Sequence, residues 1–80
     1  MYLEIISPDE NIYSGEIKLI QIPGSKGLFE VLHNHAPIIS TLEKGKIKIQ
    51  TSKNEQLFFD IAGGVIEVKN NKIIVLVDTF

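Results

Sequence analysis

His33 and His35 are the two histidines of the chain, and they stand two residues apart in His-Asn-His. On an extended backbone positions i and i+2 face the same way, so His-x-His can offer two imidazole nitrogens to one metal ion. A catalytic zinc needs a third protein ligand. Spacing alone brings no carboxylate to the pair, although Glu30 or Asp60 could fold close. The simpler reading is a polar loop in which one imidazole bonds a backbone carbonyl and orders a turn. The carboxylates Asp9, Glu10, Glu30, Glu43, Asp60, Glu67 and Asp78 are scattered, and most fall in turns or on outward parities, as solvated charges do. Ser7, Ser14, Ser25, Ser40 and Ser52 sit in no nucleophile-elbow pattern. Gly24-Ser25-Lys26-Gly27 loosely resembles a phosphate loop, but it lacks the spacing and no helix follows to supply a dipole. These residues predict no catalytic centre, no metal site and no cofactor. They favour a binding module.

The stretch from Pro23 to Leu42 (PGSKGLFEVLHNHAPIISTL) is the part that strand alternation does not explain. It opens on a turn signal and shows apolar side chains at Leu28, Phe29, Val31 and Leu32. At least two of these are expected to tuck under, and any that point outward would form an apolar tip suited to a protein contact. The stretch then passes through His-Asn-His-Ala-Pro, which no ordinary strand accommodates.

The flanking segments must position this stretch, and they read as strands. Tyr2–Ile6 is stopped by Ser7-Pro8-Asp9-Glu10-Asn11. A brief strand at residues 12–14 is expected before Gly15, then a longer one over residues 16–22. In the latter, Ile17 and Leu19 share one parity and Ile20 and Ile22 the other, which predicts a bulge near Leu19–Ile20 or burial on both faces. Residues 46–51 alternate with Ile47 and Ile49 inward, and residues 56–62 place Leu57, Phe59 and Ile61 on one face with Phe58 on the other. Gly63-Gly64 is read as a break in the ladder, a bulge or a close backbone approach. Asn70-Asn71 is read as a two-residue hairpin turn. The last strand holds Ile73-Ile74-Val75-Leu76-Val77, apolar on both parities and so expected at the centre of a sheet. No segment has a useful helical period. Eight to ten short strands with frequent turns predict an all-β antiparallel sandwich or barrel.

Eighty residues make one domain, over residues 1–80. A chain this short buries roughly 60–65% of its surface. It has no cysteine, so no disulfide framework or thiolate metal site is available. The net charge is −2 with signs interleaved, which gives no footprint for nucleic acid. No apolar run approaches the ~18 residues of a membrane span, and no signal peptide is visible at the N-terminus. Direct membrane insertion is not expected.

PGSKGLFEVLHNHAPIISTLEKGKIKI resembles the central motif of the epsilon subunit of F-type ATP synthases, a Gly-x-x-Gly turn, a short strand, His-Ala-Pro and a Lys-Gly turn. IAGGVIEVKNNKIIVLVDT and the opening LEIISPDENIYSGEI are similar to the same family's closing and first segments. The resemblance covers nearly the whole chain, in order. It implies a flattened β-sandwich of about ten short strands, placed at the foot of the central stalk. It implies docking on the gamma subunit and on the ring of c subunits, coupling rotation to ATP synthesis without chemistry of its own.

Carried over by position, the ring-facing loop corresponds to Ser25, Lys26, Gly27, Leu28, Phe29 and Glu30. The gamma-facing contacts correspond to Ser7, His35, Ala36 and Pro37. His33 stands where most members carry Pro, Glu30 where Gly is usual and Leu28 where a polar or acidic residue is common, which implies a differently shaped c-subunit loop. Typical members continue into a helical hairpin that can inhibit hydrolysis and in some binds ATP. The chain is expected to be a short form without it, hence without nucleotide binding. It is also expected to be a monomer when isolated and to lie at the cytoplasmic face of the bacterial inner membrane through its complex. The competing expectation is a small β-sandwich adaptor or metal-binding protein that uses the His33/His35 loop.

Overall fold

The computed structural model describes residues 1–78. The Thr79-Phe80 end of the expected domain lies outside the described residues. Eight strands follow one another: β1 (Tyr2–Ile6), β2 (Asn11–Gly24), β3 (Gly27–Leu32), β4 (Ile38–Leu42), β5 (Gly45–Thr51), β6 (Gln56–Ile61), β7 (Gly63–Lys69) and β8 (Lys72–Asp78). The expected strands at residues 12–14 and 16–22 are one continuous 14-residue strand, β2. Gly15 does not interrupt it, because Leu3 of β1 pairs opposite it.

β2 is the strand that joins the two layers. Residues 11–16 pair with β1, and residues 17–24 pair with β3 on one side and β5 on the other. One layer therefore runs β1-β8-β7-β4, and the other is β3, the second half of β2, β5 and β6. Gly24 closes the far corner by pairing with Leu42 of β4. The domain measures 28 × 23 × 18 Å, the flattened shape of two sheets face to face. All pairings are antiparallel except β1–β8, which is parallel. These two strands come from opposite ends of the described chain, so no hairpin dictates their direction.

The parity switch in β2 is real and lies slightly earlier than expected. The register against β5 shifts between Ile17 and Leu19. The extra residue turns Ile17, Ile20 and Ile22 all inward, while Leu19 faces out and is half-buried. Ile20 sits opposite both Val31 and Ile49, and none of the three is exposed at all. Leu3 and Ile5 of β1, Leu42 of β4, Ile47 of β5, Ile61 of β6, Ile66 of β7 and Ile73 and Val75 of β8 extend the core through the rest of the sandwich. Phe59 packs on its rim against Tyr13, with ring centroids 5.9 Å apart.

Two turns fix the registers that matter for the surface. The β7–β8 hairpin has two residues, Asn70 and Asn71, with φ of 51° and 61°. Both values belong to the type I′ turn, whose twist matches that of the strands. Gly63-Gly64 does not break the ladder, contrary to expectation; it opens β7, and the interruption falls at Ala62. Gly64 is a close backbone approach, since a Cβ there would lie 2.2 Å from the Leu76 carbonyl oxygen.

Candidate docking surface

Strand alternation gives the β1-β8-β7-β4 layer an outer face, and that face carries a cluster of exposed aliphatic side chains. In β8, Ile73, Val75 and Val77 point into the core, so Ile74 and Leu76 point out. In β7, Ile66 and Val68 are buried and Val65 is exposed. The register sets Ile6, Leu76 and Val65 in one row across three strands. The next row is Glu4, Ile74, Glu67 and Ile39. Ile39 is 74% exposed and Leu76 53%. The last strand is thus central, as its composition implied, with β1 and β7 as neighbours, but among the described residues it is covered on one face only. Aliphatic carbon held in water at these positions would return up to about 1–2 kcal/mol per side chain under a partner.

Charges border the patch and interrupt it. Lys72 pairs with Glu4 at 3.4 Å at its edge, and Glu67 lies between Ile74 and Ile39. Shallow grooves continue it at both ends, one along Ile6, Ser7, Pro8 and Leu76, the other along Pro37, Ile39 and Lys69.

The residues expected to face gamma bracket this face. Ser7 lies at one end, just beyond β1. Its amide donates to the Glu10 carbonyl at 2.9 Å, and its hydroxyl accepts the Glu10 amide at 3.3 Å. That hydroxyl therefore serves to close the Ser-Pro turn. Pro37 lies at the other end, in the exposed loop of residues 33–37 that joins β3 to β4. His35 and Ala36 belong to the same loop, with His35 half-buried and Ala36 exposed. The His35 amide donates to Leu32 at 3.1 Å, and its Nδ1 lies 2.7 Å from the Ala36 carbonyl. A carbonyl only accepts, so Nδ1 carries the proton.

The residues expected to face the ring form the tight β2–β3 hairpin. Gly24 pairs with Gly27, leaving Ser25 and Lys26 as the turn, and Gly27 has φ of 122°, which a side chain would oppose. The Ser25 hydroxyl is 2.6 Å from the Thr41 hydroxyl, so the tip is fastened to β4. Of the apolar four, Val31 is buried and Phe29 half-buried, whereas Leu28 is 68% and Leu32 53% exposed. This is the division expected of the stretch. Leu28 and Glu30 lie on the outward parity of β3 beside the exposed turn.

The histidine pair does not form the two-nitrogen metal geometry that an extended His-x-His would offer. Both rings lie in a loop rather than a strand, and Nδ1 of His33 faces the Asn71 amide at 3.2 Å. Neither Glu30 nor Asp60 completes a set; among the described residues no three His, Cys, Asp or Glu side chains are grouped to hold an ion.

Sequence reasoning missed the apolar face itself. Its signal was present in Ile74, Leu76, Ile39 and Val65, but apolar residues on both parities of a strand read equally as burial on both faces. The outer layer has to be seen uncovered before the second reading is available.

The chain matches the family model described as ATP synthase, Delta/Epsilon chain, beta-sandwich domain over residues 1–80. It is 42% identical over 76 residues to the ATP synthase epsilon chain of Chlorobaculum tepidum, covering 95% of this chain and 86% of that one. It is 35% identical to the epsilon chain of Alkalilimnicola ehrlichii over 99% of this chain, and 42% identical to that of Leptospira borgpetersenii over 95%. It spans only 56% and 59% of those two relatives. Among solved structures, it is similar to a chain of the Euglena gracilis mitochondrial ATP synthase OSCP/F1/c-ring, with a TM-score of 0.86 at 20% identity, covering 94% of this chain and 48% of that one. A chain of the Tetrahymena thermophila mitochondrial ATP synthase central stalk and c-ring gives 0.81 at 19% identity, covering 96% and 62%. At such identities the likeness is one of fold. The match of the whole chain to the family model, with relatives above 40% identity across nearly all of it, makes this chain a member of the ATP synthase delta/epsilon family, of which it carries the β-sandwich domain.

Proposed function

We propose that the chain is a central-stalk rotor subunit of an F-type ATP synthase, coupling ring rotation to ATP synthesis in the catalytic head and performing no chemistry itself. The observation that carries this reading, beyond family membership, is the uncovered apolar face of β1-β8-β7-β4. A small domain that rotates as part of a stalk must hold its neighbours without flexing. A stiff two-layer sandwich with one greasy outer face meets that requirement. Gamma is assigned to this face, with Ser7 and the His35-Ala36-Pro37 segment gripping its two ends. The c-ring is assigned to the Ser25–Glu30 tip, where Leu28 gives an apolar point and Lys26 and Glu30 give charges of both signs.

Among the described residues no helix is long and apolar enough to cross a membrane. In a bacterium the chain would sit at the cytoplasmic face of the inner membrane, held there by gamma and the ring. Isolated, it would be a monomer.

The test is a binding titration against purified gamma. The wild-type chain is expected to form a one-to-one complex. Ile39→Lys with Leu76→Lys should leave unfolding within about 1 kcal/mol of wild type, because both side chains are largely in water and the new cation at position 39 faces Glu67. It should weaken gamma binding at least a hundredfold. Leu28→Ser should leave gamma binding unchanged and weaken attachment to the c-ring. A wild-type chain that does not bind gamma overturns the assignment.

A further inference from the structure

The exposed loop of residues 33–37 is tied to the distant β7–β8 turn through one side chain, that of Asn71. Its Oδ1 accepts the Asn34 backbone amide at 3.1 Å, and its Nδ2 lies 3.2 Å from Nδ1 of His33. Its own carbonyl accepts the Tyr2 amide at 3.2 Å. One asparagine thus joins the start of β1, the β7–β8 turn and the loop carrying His35, Ala36 and Pro37.

The chemistry of the bridge is directional. The Asn34 amide can only donate, so it requires the oxygen of the Asn71 side chain, which leaves the NH2 for His33. An NH2 can only donate in turn, so Nδ1 of His33 must be an acceptor, with the ring proton on Nε2. The neighbouring His35 has the opposite tautomer, its Nδ1 donating to Ala36. A second proton on His33 would occupy Nδ1 and set donor against donor. The His33 half of the bridge then opens, while the Asn34 amide keeps the Asn71 oxygen as its acceptor.

We propose that Asn71 is the positioning residue of the gamma-docking loop, holding it by two contacts while His33 is neutral and by the Asn34 amide alone when the imidazole is protonated. The inference rests on the reading that this loop docks on gamma. The titratable groups on the elements that meet here are His35 in the loop, Glu30 on β3, Tyr2 and Glu4 on β1, and Lys69 and Lys72 flanking the turn, with Glu4 held by Lys72. Acid therefore loosens the loop through His33, whose ring pairs with no carboxylate among the described residues.

The experiment is nitrogen-15 NMR on the full chain at pH 8 and pH 5, with wild type, Asn71→Gly and Asn71→Asp. Asn71 has φ of 61°, which glycine adopts freely, so Asn71→Gly keeps the hairpin and removes only the bridge. At pH 8 the wild type should show His33 protonated on Nε2 and an Asn34 amide exchanging about tenfold more slowly than in Asn71→Gly. At pH 5 that difference should narrow, since only the Asn34 contact remains, and an undiminished difference overturns the role of His33.

Asn71→Asp should reverse the sign. Its second oxygen accepts from Nδ1–H of His33, so the tautomer switches, and acid tightens the pair by making it charge-assisted. A purely structural asparagine would produce no such reversal. Equal Asn34 protection in wild type and Asn71→Gly at pH 8, or an Nδ1–H tautomer for His33 in wild type, overturns the bridge.

Gamma titration at pH 8 is a separate arm. Asn71→Gly should bind three- to tenfold more weakly, and equal affinity overturns the positioning role. Failure of wild type to bind gamma removes the functional reading, while the exchange and tautomer data still decide the bridge.

Discussion

Gly64 illustrates how a single residue supports the surface. Its missing side chain lets the β7 backbone close on the Leu76 carbonyl, and Leu76 is the centre of one apolar row. Gly64→Ala should cost about 2–3 kcal/mol in urea unfolding, because two backbones would have to part to admit a methyl group. A loss under 0.5 kcal/mol would mean that the two strands do not meet so closely. Phe59 is half-buried against Tyr13, so Phe59→Ala should cost about 2 kcal/mol, below the 3–5 kcal/mol of a fully buried ring. Ile20→Ala, at the meeting of β2, β3 and β5, should cost more, about 3–4 kcal/mol. If the order of these two were inverted in the same denaturation series, the centre of the core would lie elsewhere.

At the level of elements, turns and ladders divide the work. Asn70 and Asn71 both occupy left-handed backbone, which costs a residue with an ordinary Cβ roughly 1–2 kcal/mol. Replacing both with alanine should lower stability by about 2 kcal/mol, whereas Asn70→Gly should leave it unchanged or slightly raised; thermal unfolding distinguishes the two. The Lys46–Asp60 pair between β5 and β6, at 3.6 Å, has both side chains mostly in water. Lys46→Ala should therefore change stability by less than about 0.5 kcal/mol, read from the same melts. β5 and β6 are held by the ladder and by Ile47, Ile49 and Ile61 beneath it, not by the ion pair.

At the level of the molecule, the sandwich separates two contact regions. The β2–β3 tip is stiffened by the Ser25–Thr41 contact, and the apolar face belongs to the layer built on β8. The two can therefore engage different neighbours at once, as a rotor element must. The double substitution at Ile39 and Leu76 and the single one at Leu28 should accordingly act independently in reconstituted stalk assembly, with additive losses, since the sites share no partner.

Much of this was determined by the amino-acid sequence alone. Period-two alternation in KIKIQT and QLFFDIA set Ile47, Ile49 and Ile61 inward, because successive side chains on a strand must face opposite ways. The asparagine pair marked its hairpin because few residues tolerate two left-handed conformations in succession. The parity slip at Ile17–Ile20 announced a bulge. Other features required the tertiary structure. Whether β2 is one strand or two depends on β1 lying opposite Gly15, a pairing that no local pattern encodes. The parallel β1–β8 contact joins residues from opposite ends of the chain. The bridge from Asn71 to His33 spans 38 positions. Above all, the outward apolar row became a surface only through the layer order. Ile74 and Leu76 carry the same pattern whether covered or bare, and what decides between them is that this face has no sheet packed upon it.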